Sequence, residues 1–248
     1  MISLLPPGSG EVSDADLARR YAYPEALDRP YVRVNFVASA DGAATVGGVS
    51  GGLSSAPDRR VFGVLRRLAE VIVVGAQTAR AEDYRGARKP NLLTGVVPRI
   101  AVLTATAALD PGAKLFTDTS VPPLILAAST APPDNLGRLA DAGAEVVTVA
   151  GDRVTPELMV AELAARGLHR VLCEGGPRLF GDLVVADAVD ELCLTIAPAL
   201  AGPGAGRIVG GPPGAVQEPR TLRLVSALFE DGSLLLRYGR DGSVARIA

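Results

Sequence analysis

The sequence predicts an α/β fold, with a mainly parallel central sheet, helices on both faces and an antiparallel hairpin at the C-terminal end. Three observations carry this expectation. From residue 31 to residue 183, strand-like apolar runs alternate with helix-period segments, the pattern of a parallel sheet with crossover helices. After residue 190, three strand-like runs follow with no helical segment between them. The last two flank Asp231-Gly232, a turn pair of the hairpin type.

The elements follow in order. Residues 1–29 read as an irregular N-terminal extension with one short helix in DADLARRYAYP. Tyr31–Ser39 reads as a strand, because Val32, Val34, Phe36 and Ala38 alternate with more polar partners. The next stretch, ADGAATVGGVSGG, holds five glycines and makes a long loop; loops of that length in compact domains are usually functional or disordered. Ser55 is placed to cap a helix, Pro57 suits its first turn, and Val61, Val64, Leu65 and Leu68 repeat at helical spacing. VIVVG at Val71–Gly75 reads as a buried strand, and AQTARAED begins a short helix. RIAVLT (99–104), PLILAAS (123–129), AEVVTVA (144–150) and HRVLCEGG (169–176) are further strands, with helices over 133–143 and 155–167. DELCLTIAPAL (190–200), RTLRLVSALFE (220–230) and GSLLLRYG (232–239) complete the set. No linker separates two hydrophobic sets, so residues 30–240 read as one domain and 241–248 as a tail.

Composition narrows the function classes. Hydrophobic residues make up 48% of 248, enough for a substantial core, and the net charge is −2 with the two signs interspersed. Nucleic-acid binding wants a basic face, which this balance does not supply, although a local pocket for one phosphate remains open. No apolar run approaches the roughly 18 residues of a membrane span, and the N-terminus has no secretory pattern. Cys173 and Cys193 sit inside strands and read as small core residues, which fits a cytoplasmic location. His169 is the sole histidine and falls at a helix-to-strand turn. With one histidine and no CxxC there is no basis for a metal site, and the zinc deaminase signature is absent.

Three strand ends carry polar or glycine-rich turns: ASADG (38–42), VVGAQTARAED (73–83) and CEGGPRLF (173–180). In open α/β sheets, ligands bind outside the carboxyl ends of the strands. Gly175 and Gly176 allow a sharp turn and close backbone approach, Pro177 suits a first helical turn, and Arg178 adds charge. The turn is either a phosphate seat at a helix N-terminus or a plain strand–helix connection. Glu174 is either a carboxylate for a bound heterocycle or an acid near the helix start. Asp41, Thr78, Arg66 and Thr104 carry similar pairs of readings: turn residue, helix cap, solvated face and strand-end cap, or ligand contacts.

Taken in order, FVASADG (36–42), RRVFGVLRRLAEVIVVGAQTARAED (59–83), RIAVLT (99–104), RVLCEGGPRLFGDL (170–183) and VDELCLTIAPALAG (189–202) resemble the reductase domain of riboflavin biosynthesis. That domain is the C-terminal half of a bifunctional deaminase–reductase within the dihydrofolate reductase-like superfamily. The chain most resembles the stand-alone actinobacterial form, which lacks the deaminase half. The resemblance implies NADPH as cofactor and hydride transfer to a ribosylaminopyrimidine phosphate, with reduction at the sugar C1′. It implies that Gly175, Gly176, Pro177, Arg178 and Leu179 hold the pyrophosphate, that Ala38, Thr78 and Glu82 line the cofactor, and that Thr104 lies near its 2′-phosphate. Ser50, Arg66 and Glu174 would face the substrate, with Asp41 and Glu174 as catalytic carboxylates. The family usually has lysine where this chain has Asn35, proline where it has Tyr84, and tryptophan in the glycine loop, where this chain has none. A pterin reductase of the same fold and a non-catalytic NADPH-binding regulator are the alternatives. The late strands would leave an apolar face, and with the resemblance this implies a homodimer.

Overall fold

The computed structural model describes all residues except Ser9, Pro213, Val216, Gln217 and 241–248, so the expected tail lies outside the described residues. Ten strands form one sheet: β1 (Ile2–Leu5), β2 (Tyr31–Ser39), β3 (Val71–Gly75), β4 (Arg99–Thr104), β5 (Leu124–Ala128), β6 (Glu145–Val149), β7 (Arg170–Cys173), β8 (Glu191–Ala197), β9 (Arg223–Glu230) and β10 (Ser233–Gly239). Seven helices accompany them: α1 (Asp14–Arg20), α2 (Ala56–Leu68), α3 (Ala76–Ala81), α4 (Lys114–Thr117), α5 (Pro133–Asp141), α6 (Pro156–Ala164) and α7 (Pro177–Val185). The strand order is β1-β9-β10-β8-β2-β7-β3-β4-β5-β6. From β8 through β6 all neighbours are parallel, whereas β10, β9 and β1 add on antiparallel. β8 therefore belongs to both halves, parallel to β2 and antiparallel to β10.

Helices cover both faces, as expected. Leu65 and Leu68 of α2 and Leu139 of α5 pack into one apolar layer, and Met159 and Leu163 of α6 with Phe180 and Leu183 of α7 pack into the other. α2 starts where the sequence places it: Ser55 Oγ accepts from the Asp58 amide at 3.3 Å, with Pro57 in the first turn. β2, β3 and β4 have the expected bounds, and the other expected strands are up to three residues shorter at an end; β8, for example, stops at Ala197, before Pro198.

Residues 1–29 are less irregular than the sequence suggests. Ile2–Leu5 is an edge strand that pairs with β9, and α1 packs on α2 with Leu17 fully buried. A four-residue edge strand gives too short a pattern to register as one. The following segment buries Tyr21 and Tyr23 over a charged knot that sequence spacing does not reveal.

That knot joins β2, β8 and β10. Glu191, fully buried, accepts from Arg33 Nε at 2.5 Å through Oε1 and from Arg237 at 2.7 Å through Oε2, where Tyr31 OH also donates at 3.1 Å. The Arg33 guanidinium lies 4.0 Å from the Tyr23 ring centroid, and Arg237 donates to the Arg20 carbonyl at the end of α1. Burial pushes the Glu191 carboxyl up, but Arg33 and Arg237 together outweigh it and hold it below its ordinary value. The stabilisation it gives is therefore full above about pH 4.5 and is lost as pH falls through the folded value. Glu191→Ala is expected to lower unfolding stability at pH 7 by about 3–5 kcal/mol, since it strands two buried guanidinium groups. Urea denaturation measures this, and a loss under about 1 kcal/mol would sink the assignment.

Candidate active site

In the sheet order, β7 lies between β2 and β3, so the chain crosses from β2 over α2 to β3 and leaves a gap that β7 fills later. Ligand crevices form where strand order reverses in this way. Here the carboxyl ends of β2, β7, β3 and β4 open into a cleft of about 1300 Å³. Single small-molecule pockets run to roughly 1000 Å³, so this one has room for two ligands side by side.

One wall is the β7–α7 turn. The Gly75 amide donates to the Gly175 carbonyl at 2.8 Å, which ties this turn to the start of α3. Gly175 has φ 87° and a Cβ there would come within 2.6 Å of Phe36 Cζ, so only glycine fits beneath that ring. A Cβ on Gly176 would strike Thr78 Oγ1. Gly176 caps α7 with no side-chain hydrogen bond, and Gly176, Pro177, Arg178 and Leu179 of this helix start all line the cleft. An uncapped helix start with a bare backbone and an adjacent arginine fits a pyrophosphate.

The other wall is α2. Arg59, Phe62 and Arg66 stand at spacings of three and four and share one stripe toward the cleft. Arg66 holds Glu174 bidentately, Nε to Oε1 at 2.7 Å and the second nitrogen to Oε2 at 2.6 Å, while Tyr84 OH donates to Oε2 at 2.6 Å. The guanidinium lies 4.6 Å from the Phe62 centroid and 5.5 Å from that of Tyr84. Burial, then the neighbouring Glu174, keeps the Tyr84 phenol well above its ordinary value, so it stays a donor. Glu174 is therefore a buried carboxylate with both oxygens engaged, held rigidly at the end of β7.

Most expected site residues meet here. Ser50, Arg66, Thr78, Glu82, Thr104, Glu174, Gly176, Pro177, Arg178 and Leu179 all line the cleft. Ser50 and Glu82 touch: the Ser50 amide donates to Glu82 Oε1 at 2.7 Å, which fastens the glycine loop to the end of α3. Thr104 Oγ1 accepts from the amides of Thr106 (3.3 Å) and Ala107 (3.0 Å), so it shapes the turn after β4 as well as facing the cleft. Three expected residues are not cleft-lining. Ala38 is buried in β2, Gly175 sits beneath Phe36, and Asp41 lies outside the wall. The Asp41 carboxylate accepts from Ser39 Oγ and from the amides of Ala201 (3.1 Å) and Gly202 (2.9 Å), which fixes the turn after β8. Sequence reasoning passed over Arg59, Phe62 and Tyr84 as contributors; the first two were readable from the stripe once Arg66 was on it. Cys173 is buried, and burial pushes its thiol up to about 12, in keeping with a core role.

The open α/β sheet with this crevice, glycine turn and buried carboxylate belongs to the dihydrofolate reductase-like fold class. The chain belongs to the RibD C-terminal domain family, whose model matches residues 30–231. It is 31% identical over 175 residues to the 2,5-diamino-6-ribosylamino-4(3H)-pyrimidinone 5′-phosphate reductase of Methanothermobacter thermautotrophicus, covering 70% of this chain and 80% of that one. It is 25% identical to the riboflavin biosynthesis protein RibD of Aquifex aeolicus, of which it spans about half, 49%. Among solved structures, a pyrimidine reductase-like protein from Corynebacterium diphtheriae matches with a TM-score of 0.76 at 28% identity, covering 85% of this chain and 91% of that one.

The Asp41 contacts generate a measurable expectation. The hydrogen bond from Ser39 first, then the Ala201 and Gly202 amides, holds the Asp41 carboxyl down at about 2. A depressed folded value means the contact is complete above the ordinary 3.8 and is lost as pH falls through about 2. The Ala201 amide resonance should titrate with that lower midpoint; a midpoint at the ordinary value would remove the contact.

Proposed function

We propose that this protein is an NADPH-dependent reductase that converts a ribosylaminopyrimidine 5′-phosphate to its ribitylamino product in riboflavin biosynthesis. The observation that supports it best is one cleft with an uncapped helix start at β7–α7 and, two residues earlier, a rigid carboxylate facing the neighbouring subsite. The family membership and the reductase names of its relatives support the same reading.

The residues present fit the cofactor: Gly176, Pro177, Arg178 and Leu179 would hold the pyrophosphate, with Thr78 and Glu82 along the wall and Thr104 toward the adenosine end. When bound, the nicotinamide supplies the hydride that reduces the sugar C1′. The protein supplies orientation and field. Arg66 and Tyr84 fix Glu174, and the rigid Glu174–Arg66 pair turns the carboxylate end of its dipole toward the strand end where the sugar nitrogen turns cationic on the way to reduction. Phe62 and Tyr84 flank that subsite with apolar surface and exclude water from it. Asp41 acts at one remove, by positioning the turn after β8.

Steady-state NADPH oxidation with 5-amino-6-(5-phosphoribosylamino)uracil tests the reading. Glu174→Gln should lower kcat by about 10²–10³, the size of one lost preorganised electrostatic contact, with little change in NADPH affinity. Turnover of a dihydropterin and not of the pyrimidine would transfer the assignment to the pterin alternative. Tight NADPH binding with no turnover of either would favour the regulator.

The same reading includes a homodimer and a cytoplasmic location; no helix among the described residues is long and apolar enough to cross a membrane. The apolar face of the antiparallel half supports the dimer. Ile2, Phe229, Leu234 and Ile196 stand in register across four strands, with Leu236 and Leu194 in the next row, all exposed or half-buried among the described residues. Sedimentation should give twice 25.4 kDa, and Leu194→Asp should return the single-chain mass. A single-chain mass for the unmutated protein at micromolar concentration would remove the dimer.

A further inference from the structure

Six arginines line the cleft: Arg59, Arg66, Arg80, Arg85, Arg153 and Arg178. Three are neutralised in place. Arg66 pairs with Glu174 at 2.6 Å, Arg85 with Asp118 at 3.5 Å and Arg153 with Asp182 at 3.7 Å. The other three have no carboxylate within ion-pair distance among the described residues. Arg59 donates to the Ser54 carbonyl at 2.8 Å and Arg80 to the Ala108 carbonyl at 2.9 Å. Those bonds fix each guanidinium without cancelling its charge. Of the cleft acids, Glu174, Asp182 and Asp83 sit in ion pairs, while Asp58 and Glu82 are held by neutral donors. Asp58 accepts from Ser54 Oγ at 2.5 Å, Glu82 from the Ser50 amide at 2.7 Å, and Asp83 pairs with Lys114.

Three guanidiniums without an ion-pair partner thus stand around the cleft against two carboxylates in the same condition, and each offers a charge-assisted contact to an anionic ligand. Their placements differ. Arg178 stands at the helix start already assigned to the pyrophosphate. Arg80 lies on α3 and reaches across the turn after β4, where Thr104, Ala105 and Thr106 line the cleft. Arg59 lies on α2 beside the serine and glycine loop, on the β2 side with Asn35. β2 and β4 are three strand positions apart, roughly 14 Å at about 4.8 Å per step. Arg59 and Arg80 therefore mark opposite ends of the cleft.

We propose that Arg80 and Arg59 are its two phosphomonoester readers: Arg80 takes the ribose 2′-phosphate that distinguishes NADPH from NADH, and Arg59 takes the 5′-phosphate of the sugar-phosphate substrate. The proposal rests on the reductase reading above. A terminal phosphate offers three oxygens and close to two negative charges, and a guanidinium fork meets two oxygens in one plane. Arg59 then supplies the charge that the neutral amide of Asn35 cannot.

Both side chains are exposed, so their replacement leaves the fold intact, and affinity for NADH serves as the control. Calorimetry of Arg80→Ala should show NADPH and 2′,5′-ADP weakened by about 10- to 100-fold, the size of one charge-assisted pair, with NADH unchanged. Arg59→Ala should leave both cofactors unchanged. It should raise KM for the phosphorylated pyrimidine by a similar factor, and KM for the dephosphorylated one should stay put. Arg→Lys at either site should recover part of the loss. Equal weakening of NADPH and NADH by Arg80→Ala, or equal KM changes for both substrate forms by Arg59→Ala, overturns the proposal alone. An unmutated protein that binds neither cofactor overturns the reductase reading and the proposal together.

Discussion

The buried knot of Arg33, Glu191 and Arg237 is the constraint on which the rest of the molecule depends. It sits where the sheet changes from parallel to antiparallel, and its three members come from β2, β8 and β10. An ion cluster out of water contributes little net stability over an apolar one, but it tolerates few alternative arrangements. A one-residue slip of β8 against β2 would turn Glu191 to the opposite face and leave Arg33 with no counter-charge. The knot therefore fixes the register of β2, and through it the position of Asn35, Phe36 and Val37 at the edge of the cleft.

From that register the site follows by short steps. Phe36 rests in the space that Gly175 leaves open and stacks on Phe180 of α7 with centroids 5.2 Å apart. This packs α7 against β2 and keeps its first residues, Pro177 to Leu179, at the cleft wall. Glu174, one residue earlier, continues the ladder by donating its amide to the Val73 carbonyl at 2.9 Å while its side chain turns to α2. A strand end, a glycine pair and a helix start thus give the two ligand subsites a fixed relation to each other.

Much of this was legible in the sequence because it is local. The α2 stripe, the buried run at Val71–Gly75, the hairpin at Asp231-Gly232 and the three turns each follow from spacing and turn chemistry within a dozen residues. What escaped depends on partners far along the chain. β1 is a strand only because β9 lies beside it, more than 200 positions later. Arg33 reads as the polar half of an alternating strand until Glu191 is placed next to it. Asp41 looks like a residue at a reacting centre until Ala201 and Gly202 take its oxygens. Tyr84 stood out only as a departure from a family habit, and its contact with Glu174, 90 positions away, gives it a purpose.

The pairing of Arg66 with Glu174 also bears on how such a chain can diverge. The positions are 108 residues apart, yet chemically they form one unit. Losing the arginine alone would leave an almost wholly buried carboxylate uncompensated, at a cost of about 3–5 kcal/mol, a large part of the stability of an ordinary domain. Losing the carboxylate alone would release a guanidinium into the subsite and change what that subsite attracts. In descent the two should be kept or replaced together, and among relatives they should appear as one inherited character spelled at two places.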